Sequence, residues 1–249
     1  MIGAVPAARS PQRAYTVEMN ESVHSAAQDA PALATQARRG RPRADTSRAS
    51  ATTVDDIIAT ATREFAEKGL AGARIDDIAE AMQTSKRMIY YYFGSKEGLY
   101  LRVLEEAYRR IRVIEAELHL EDLPPEAALR RLVAFTHDYQ LAHPDFVRLV
   151  MTENIHRGAY LAQSEAIQRL NVPAIEAVRG VISRGVAAGV FRAGVDALDV
   201  HTTISALCFF NVANRHTFSL IFRRDPDSPA LVAERRAQIV ETVVRYLRA

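Results

Sequence analysis

The sequence predicts an all-α protein of about nine helices, with a small three-helix unit joined through a long helix to a larger bundle. Apolar residues recur at helical spacing through most of the chain after residue 53. Pro125, Pro144, Pro173 and Pro229 fall at or near the starts of periodic segments, where proline is tolerated because the first helical N–H groups need no partner. No segment alternates convincingly as a strand would, and no internal repeat is present.

Residues 1–50 show no sustained periodicity and are rich in Ala, Ser, Thr, Gln, Arg and Pro, so they read as a disordered tail. Its end, 38–48, is a basic arm with five arginines and one acid, Asp45. Helical order is expected from Thr53, where Thr53 and Asp56 resemble a capping box and Val54, Ile57, Ile58, Ala61 and Phe65 form a stripe. Gly69 stops this helix. A second helix is expected at about Ile75–Met82, and a third at Ser85–Tyr92. The fourth, capped by Ser95, runs to about His119 with Leu104, Ala107, Tyr108, Ile111 and Leu118 on one face. Later helices are expected at 125–142, 144–156, 160–170, 173–189, 196–222 and 229–248.

The 249 residues carry 48% hydrophobic residues and a net charge of only +2, so any surface for a polyanion must be local. The single cysteine, Cys208, excludes an internal disulfide or a cysteine-based zinc site, and its apolar neighbours mark it as a small buried side chain. No secretory leader and no membrane-length apolar run is found, which points to a soluble, cytoplasmic protein without membrane partners. No metal, cofactor or catalytic motif is expected. Glu153 with His156, and His137 with Asp138, are the nearest approaches to a reactive pair, and neither has a third ligand at a metal spacing.

Three short helices between 53 and 93, the last two joined tightly, fit a helix-turn-helix. Ser85–Phe93 packs two cations and three tyrosines into nine residues with no acid. Ile89 and Phe93 lie four apart and would pack inward, leaving Lys86, Arg87, Tyr90 and Tyr91 mostly outward. Cations neutralise phosphate or donate to guanine, while tyrosine hydroxyls bond phosphate and the rings meet sugars or thymine methyls. A solvated basic helix with aromatics in an oligomer interface is the other reading of the same composition.

Phe65-Ala-Glu-Lys-Gly69, then Ile75-Asp-Asp-Ile-Ala79, then Ser85-Lys-Arg-Met-Ile-Tyr-Tyr-Tyr-Phe-Gly-Ser-Lys-Glu-Gly-Leu99, resembles the N-terminal domain of TetR/AcrR-family regulators. The resemblance covers 53 to about 101 and implies a DNA-binding domain over 51–98, with an effector-binding and dimerisation domain over 99–249. By its positions, Lys86, Arg87 and Met88 face bases at the start of the recognition helix, which Ser85 opens as a further DNA-binding residue, while Tyr90, Tyr91 and Tyr92 reach the phosphate backbone. Tyr92 has packing against helix 1 as its alternative. Lys96 matches a phosphate-contacting lysine at a helix N-terminus. Two departures are visible. Ala73 and Arg74 stand where a capping Thr or Ser is usual, with Arg74 able to restore a phosphate contact. Gln83 stands where the turn usually holds glycine; a positive φ there would strain it by about 1–2 kcal/mol.

Arg38-Arg-Gly-Arg-Pro-Arg43 resembles an AT-hook core, whose extended arginines enter a narrow minor groove. Arg41 and Arg43 are the expected contacts; a solvated linker is the alternative. The resemblance further implies a homodimer through the C-terminal helices, a pseudo-palindromic duplex DNA operator, and a repressor released by a small-molecule effector. The alternatives are an activator or ligand-independent regulator using the same module, or a small-molecule-binding or scaffold protein whose DNA head has lost function. Leu207, Phe209, Phe210, Phe218, Leu231, Ile239, Val243, Val244 and Leu247 are candidates for the dimer face, with an intramolecular core as the competing explanation. Tyr108, Phe135, Tyr139, Phe146, Met151, Asn154 and His201 are candidate pocket-lining residues, though residues of these types in such positions are more often simple core.

Overall fold

The computed structural model describes the backbone from Ala44 to Ala249 and side chains from Val54 onward. Ten α-helices make up the described residues: α1 (Ala44–Gly72), α2 (Ile75–Ala81), α3 (Lys86–Phe93), α4 (Lys96–Ala116), α5 (Pro125–Ala142), α6 (Pro144–Ile155), α7 (Glu165–Ala187), α8 (Ala197–Ala213), α9 (Arg215–Phe222) and α10 (Pro229–Leu247). The 3₁₀ turns Leu120–Asp122 and Leu161–Gln163 complete the path. Among the described residues, no helix is long and apolar enough to cross a membrane.

Several boundaries differ from expectation. Helix α1 begins at Ala44, so Thr53 and Asp56 lie within it rather than capping it, and the last residues assigned to the tail are helical. Gly69 does break the helical path, at φ 66°, before one further turn. The segments expected at 160–170 and 173–189 merge into α7, with Pro173 inside it. An interior proline removes a helix hydrogen bond and costs about 3 kcal/mol. Here Ile167, Ala174, Val178, Val181 and Ile182 bury one continuous stripe on both sides of Pro173, which keeps the helix in one piece. The segment expected at 196–222 divides at Asn214 into α8 and α9, and α4 ends at Ala116, short of His119, whose φ of 47° is left-handed.

Two cores form. The first gathers Ile57, Phe65, Ile78, Ile89, Leu99 and Tyr100 from α1–α4, and also Leu149 of α6 and Ile167 of α7. Phe65 meets Tyr100 edge to face at 5.1 Å. The second gathers Leu129, Val133, Val181, Ile204, Val243 and Val244 from α5, α7, α8 and α10. Helix α4 runs from the first core, through Leu99–Leu104, to buried Ile111 further along, so it ties the small unit to the bundle.

The apolar residues of the last helices are divided between two roles. Ile239, Val243, Val244 and Leu247 are buried in the protomer's own core, which corrects their reading as a dimer face. The exposed ones are instead Phe210, Phe218, Leu220, Ile221 and Phe222 on α8 and α9, with Leu220 at 79% exposure. Helix α9 buries no residue at all. Cys208 is buried as expected, and desolvation pushes its thiol up to about 12.

Candidate nucleic-acid interface

The turn between α2 and α3 explains the glutamine. Gln83 N–H donates to Glu80 O and Thr84 N–H to Ala79 O, both at 3.0 Å. These are the paired bonds of a Schellman motif, whose first residue past the helix cap must be left-handed. Gln83 occupies that position at φ 52°. A side chain there is strained against the following carbonyl, and glycine is not. Gln83→Gly is therefore expected to raise stability by about 1 kcal/mol, after allowing for glycine's larger unfolded-state entropy. A lower or unchanged urea midpoint would show that the turn holds glutamine without strain.

The N-cap position of α2 is Arg74, whose side chain makes no capping bond. Its backbone N–H donates to Glu64 Oε1 at 3.3 Å instead, so α1 provides an acceptor. Asp76 and Asp77 in the first turn suit the positive end of the helix dipole. Lys68 spans α1 and α2 by contacting Glu64 and Asp77, each at 2.8 Å. Hydrogen bonds to Asp77 and then Glu64 hold its pKa above the ordinary lysine value.

Helix α3 is capped by Ser85, whose hydroxyl accepts from Met88 N at 3.4 Å. Fully buried Ile89 anchors it, with Tyr92 and Phe93 half-buried on the same core. Lys86, Arg87, Met88, Tyr90 and Tyr91 are exposed, and Tyr91 is 78% exposed. Tyr92 meets Tyr91 and Phe93 edge to face at 5.2 and 6.3 Å. Gly94, at φ 74°, turns the chain into Ser95, whose hydroxyl accepts from Gly98 N at 2.9 Å and caps α4. A Cβ on Gly98 would sit 2.2 Å from the Phe93 carbonyl oxygen, so the end of α3 rests directly on the first turn of α4.

The structure thus brings Ser85, Lys86, Arg87, Met88, Tyr90 and Tyr91 onto one small exposed helix, with exposed Arg74 at the head of its neighbour. Lys96 is half-buried, its ammonium 3.5 Å from the Ala71 carbonyl at the end of α1. Arg41 and Arg43 lie outside the described residues. One partner escaped the sequence reading: Asp76 of α2 forms an ion pair with Lys86. The acid at the start of α2 was its only available signal.

The interior candidates are mostly packed together. Tyr108–Phe146, Tyr139–Phe146 and Phe135–Tyr139 are in ring contact at 5.4, 6.1 and 5.7 Å. Met151 and His201 are half-buried, whereas Asn154 is exposed and bonds its own helix at Val150 O, which removes it from the interior set. Glu153 is buried and accepts from the Tyr160 and Leu161 amides at 3.3 and 2.9 Å. His156 is exposed, so these two do not act as a pair. A groove of about 840 Å³ runs along α4 and α7, lined by Pro173 and by the largely buried Arg112–Glu115 ion pair among others.

Residues 57–103 match the family model described as bacterial regulatory proteins, tetR family, and 125–243 match the tetracyclin repressor-like C-terminal domain. The HTH-type transcriptional repressor NicS of Pseudomonas putida is 38% identical over 196 residues, covering 79% of this chain and 92% of NicS. The HTH-type transcriptional repressor SCO4008 of Streptomyces coelicolor is 36% identical over 131 residues, 52% of this chain and 65% of the relative. Among solved structures, a tetR-family regulatory protein from Rhodococcus superposes with a TM-score of 0.62 at 19% identity, covering 79% of this chain and 97% of that one. The ketosteroid regulator KstR2 of Mycobacterium tuberculosis gives 0.60 at 20% identity, covering 79% and 95%. With the helix-turn-helix geometry and matches at both ends of the fold, this chain belongs to the TetR family of bacterial DNA-binding transcriptional regulators.

Proposed function

We propose that the protein is a homodimeric, effector-released repressor that reads a pseudo-palindromic operator through α3. The observation that carries this reading is the solvent face of α3, where Lys86, Arg87, Met88, Tyr90 and Tyr91 stand on a helix with no acid and a buried Ile89 root. Arg87 and Met88 face base edges, and the tyrosines face phosphates. Lys86 joins them once it leaves Asp76. Arg74 and Lys96 flank the helix, and Arg41 and Arg43 of the arm enter the neighbouring minor groove. The DNA-reading unit comprises α1–α3 with the first turns of α4; the rest binds effector and partner. Duplex DNA as partner places the protein in the cytoplasm.

A second copy supplies the cover for Leu220, Ile221 and Phe222 of α9. A small molecule bound in the body would favour one position of α4 over another, and α4 carries α3 at its head. It acts only through different affinities for the two arrangements.

Selection from a random duplex library with the full chain tests the core of this reading. Two inverted half-sites with centres about 34–36 Å apart are expected, one per recognition helix. Recovery of no enriched sequence, or of a lone half-site, would overturn the dimeric reader.

A further inference from the structure

A second cavity, of about 280 Å³, lies between α5, α8, α9 and α10. None of its lining residues belongs to α1–α4 or to the aromatic cluster around Tyr139 and Phe146. Its size is at the small end of ligand pockets. Phe210 and Phe218, in edge-to-face contact at 5.8 Å, and Leu141 give it an apolar wall. His137, only 5% exposed, contributes from α5.

The polar groups are set in an order that points to a ligand. Asp138 accepts from Arg236 Nε at 2.9 Å through both oxygens and faces His137 Nδ1 at 3.0 Å. A carboxylate only accepts, so Nδ1 is the ring nitrogen that donates to Asp138, and Nε2 is the one left to meet a ligand. Nε2 makes no hydrogen bond among the described residues. Arg235 is fixed by its Nε bond to Asn211 Oδ1 at 3.1 Å, and neither Arg235 nor Arg224 is ion-paired among the described residues. The two acids in the lining, Glu234 and Asp225, accept from Gln238 and from the Asp227 amide, both at 3.0 Å, and are outnumbered there by Arg215, Arg224 and Arg235.

We infer that this cavity is a second ligand site, for a small ring-containing acid that also carries a hydrogen-bond donor. The ring lies against Phe210, Phe218 and Leu141. Its anionic oxygens meet the guanidinium groups of Arg235 and Arg224, and its hydroxyl or N–H donates to His137 Nε2. The occupied site braces α9 from within, since Arg215, Phe218 and Ser219 line the cavity while Leu220 and Ile221 point away from it.

Calorimetric titration of the full chain with 4-hydroxybenzoate, benzoate and 4-hydroxybenzyl alcohol tests this site independently of DNA binding. Saturable binding of 4-hydroxybenzoate, one per protomer, is expected. The alcohol, lacking the anion, should bind about tenfold or more weakly, and Arg235→Gln should weaken the acid by a similar factor. Benzoate should bind less tightly than the hydroxylated acid. Arg224→Gln, on an exposed loop, repeats the charge test if Arg235→Gln disturbs folding, and Phe218→Trp should block the site by filling it. No binding of the acid at millimolar concentration, equal binding of acid and alcohol, or an unchanged affinity in both arginine variants would overturn the inference. Operator binding in the same preparation reports separately on the proposed repressor.

Discussion

Gly98→Ala is expected to destabilise the protein by about 1–3 kcal/mol and to cut operator affinity more than about tenfold. The glycine's backbone faces the Phe93 carbonyl oxygen, which an added Cβ would approach to 2.2 Å. A backbone oxygen cannot swing aside as a side-chain tip does, so α3 and α4 must separate. That separation shifts the recognition helix on its Ile89 anchor, and base contacts tolerate little displacement. Gly180→Ala is the control. It lies inside α7 with nothing within 4 Å of its would-be Cβ, so alanine should stabilise it by up to about 1 kcal/mol through helix propensity. Urea midpoints and DNA titrations of both variants decide the matter, and a Gly98→Ala protein as stable as its parent would show that the α3–α4 junction is not closed by contact.

Arg87→Ala is expected to weaken specific binding by about 1–3 kcal/mol per half-site and to relax the preference at one base pair in each. Arg87 is exposed on α3 and, unlike Lys86, has no ion-pair partner among the described residues, so its donors are committed to nothing in the free protein. Its fork fits the two acceptors of a guanine edge. Tyr91→Phe makes the contrast: loss of a phosphate-bonding hydroxyl should weaken all sequences alike. Repeating the library selection with each variant separates the roles. If Arg87→Ala recovers the same consensus with equal sharpness, Arg87 is not a base reader.

The local chemistry of the helix-turn-helix was legible because it depends on neighbours in sequence. Ser95 caps α4 as its position suggested, Ile89 anchors α3, and Gln83 takes the left-handed turn position that glycine would favour, whereas Ser85, expected as the first residue of the third helix, is its N-cap. Elements decided by distant packing were not legible. Pro173 reads as a helix start until the buried stripe of α7 is seen to run through it. The stripe Ile239, Val243, Val244, Leu247 reads equally as an interface or a core, because periodicity states that a face is buried but not by which partner. The exposed cover-seeking residues lie on α9, a helix of eight residues whose break from α8 at Asn214 gave no sequence signal stronger than a lone asparagine.

The Lys86–Asp76 ion pair bears on how the protein searches a chromosome. A lysine waiting in solvent adds its full attraction at every stretch of duplex it meets, right or wrong. Lys86 must first exchange a carboxylate for a phosphate, so its net gain on random DNA is somewhat smaller, while Asp76 keeps Arg74 as a neighbouring partner at 3.8 Å. Such an arrangement shortens each stay at an incorrect site while leaving the well-fitted operator, where Arg87 and the tyrosines also engage, able to outbid the internal pair. The protein gives up some grip everywhere and is quicker to leave the sites where it has no business.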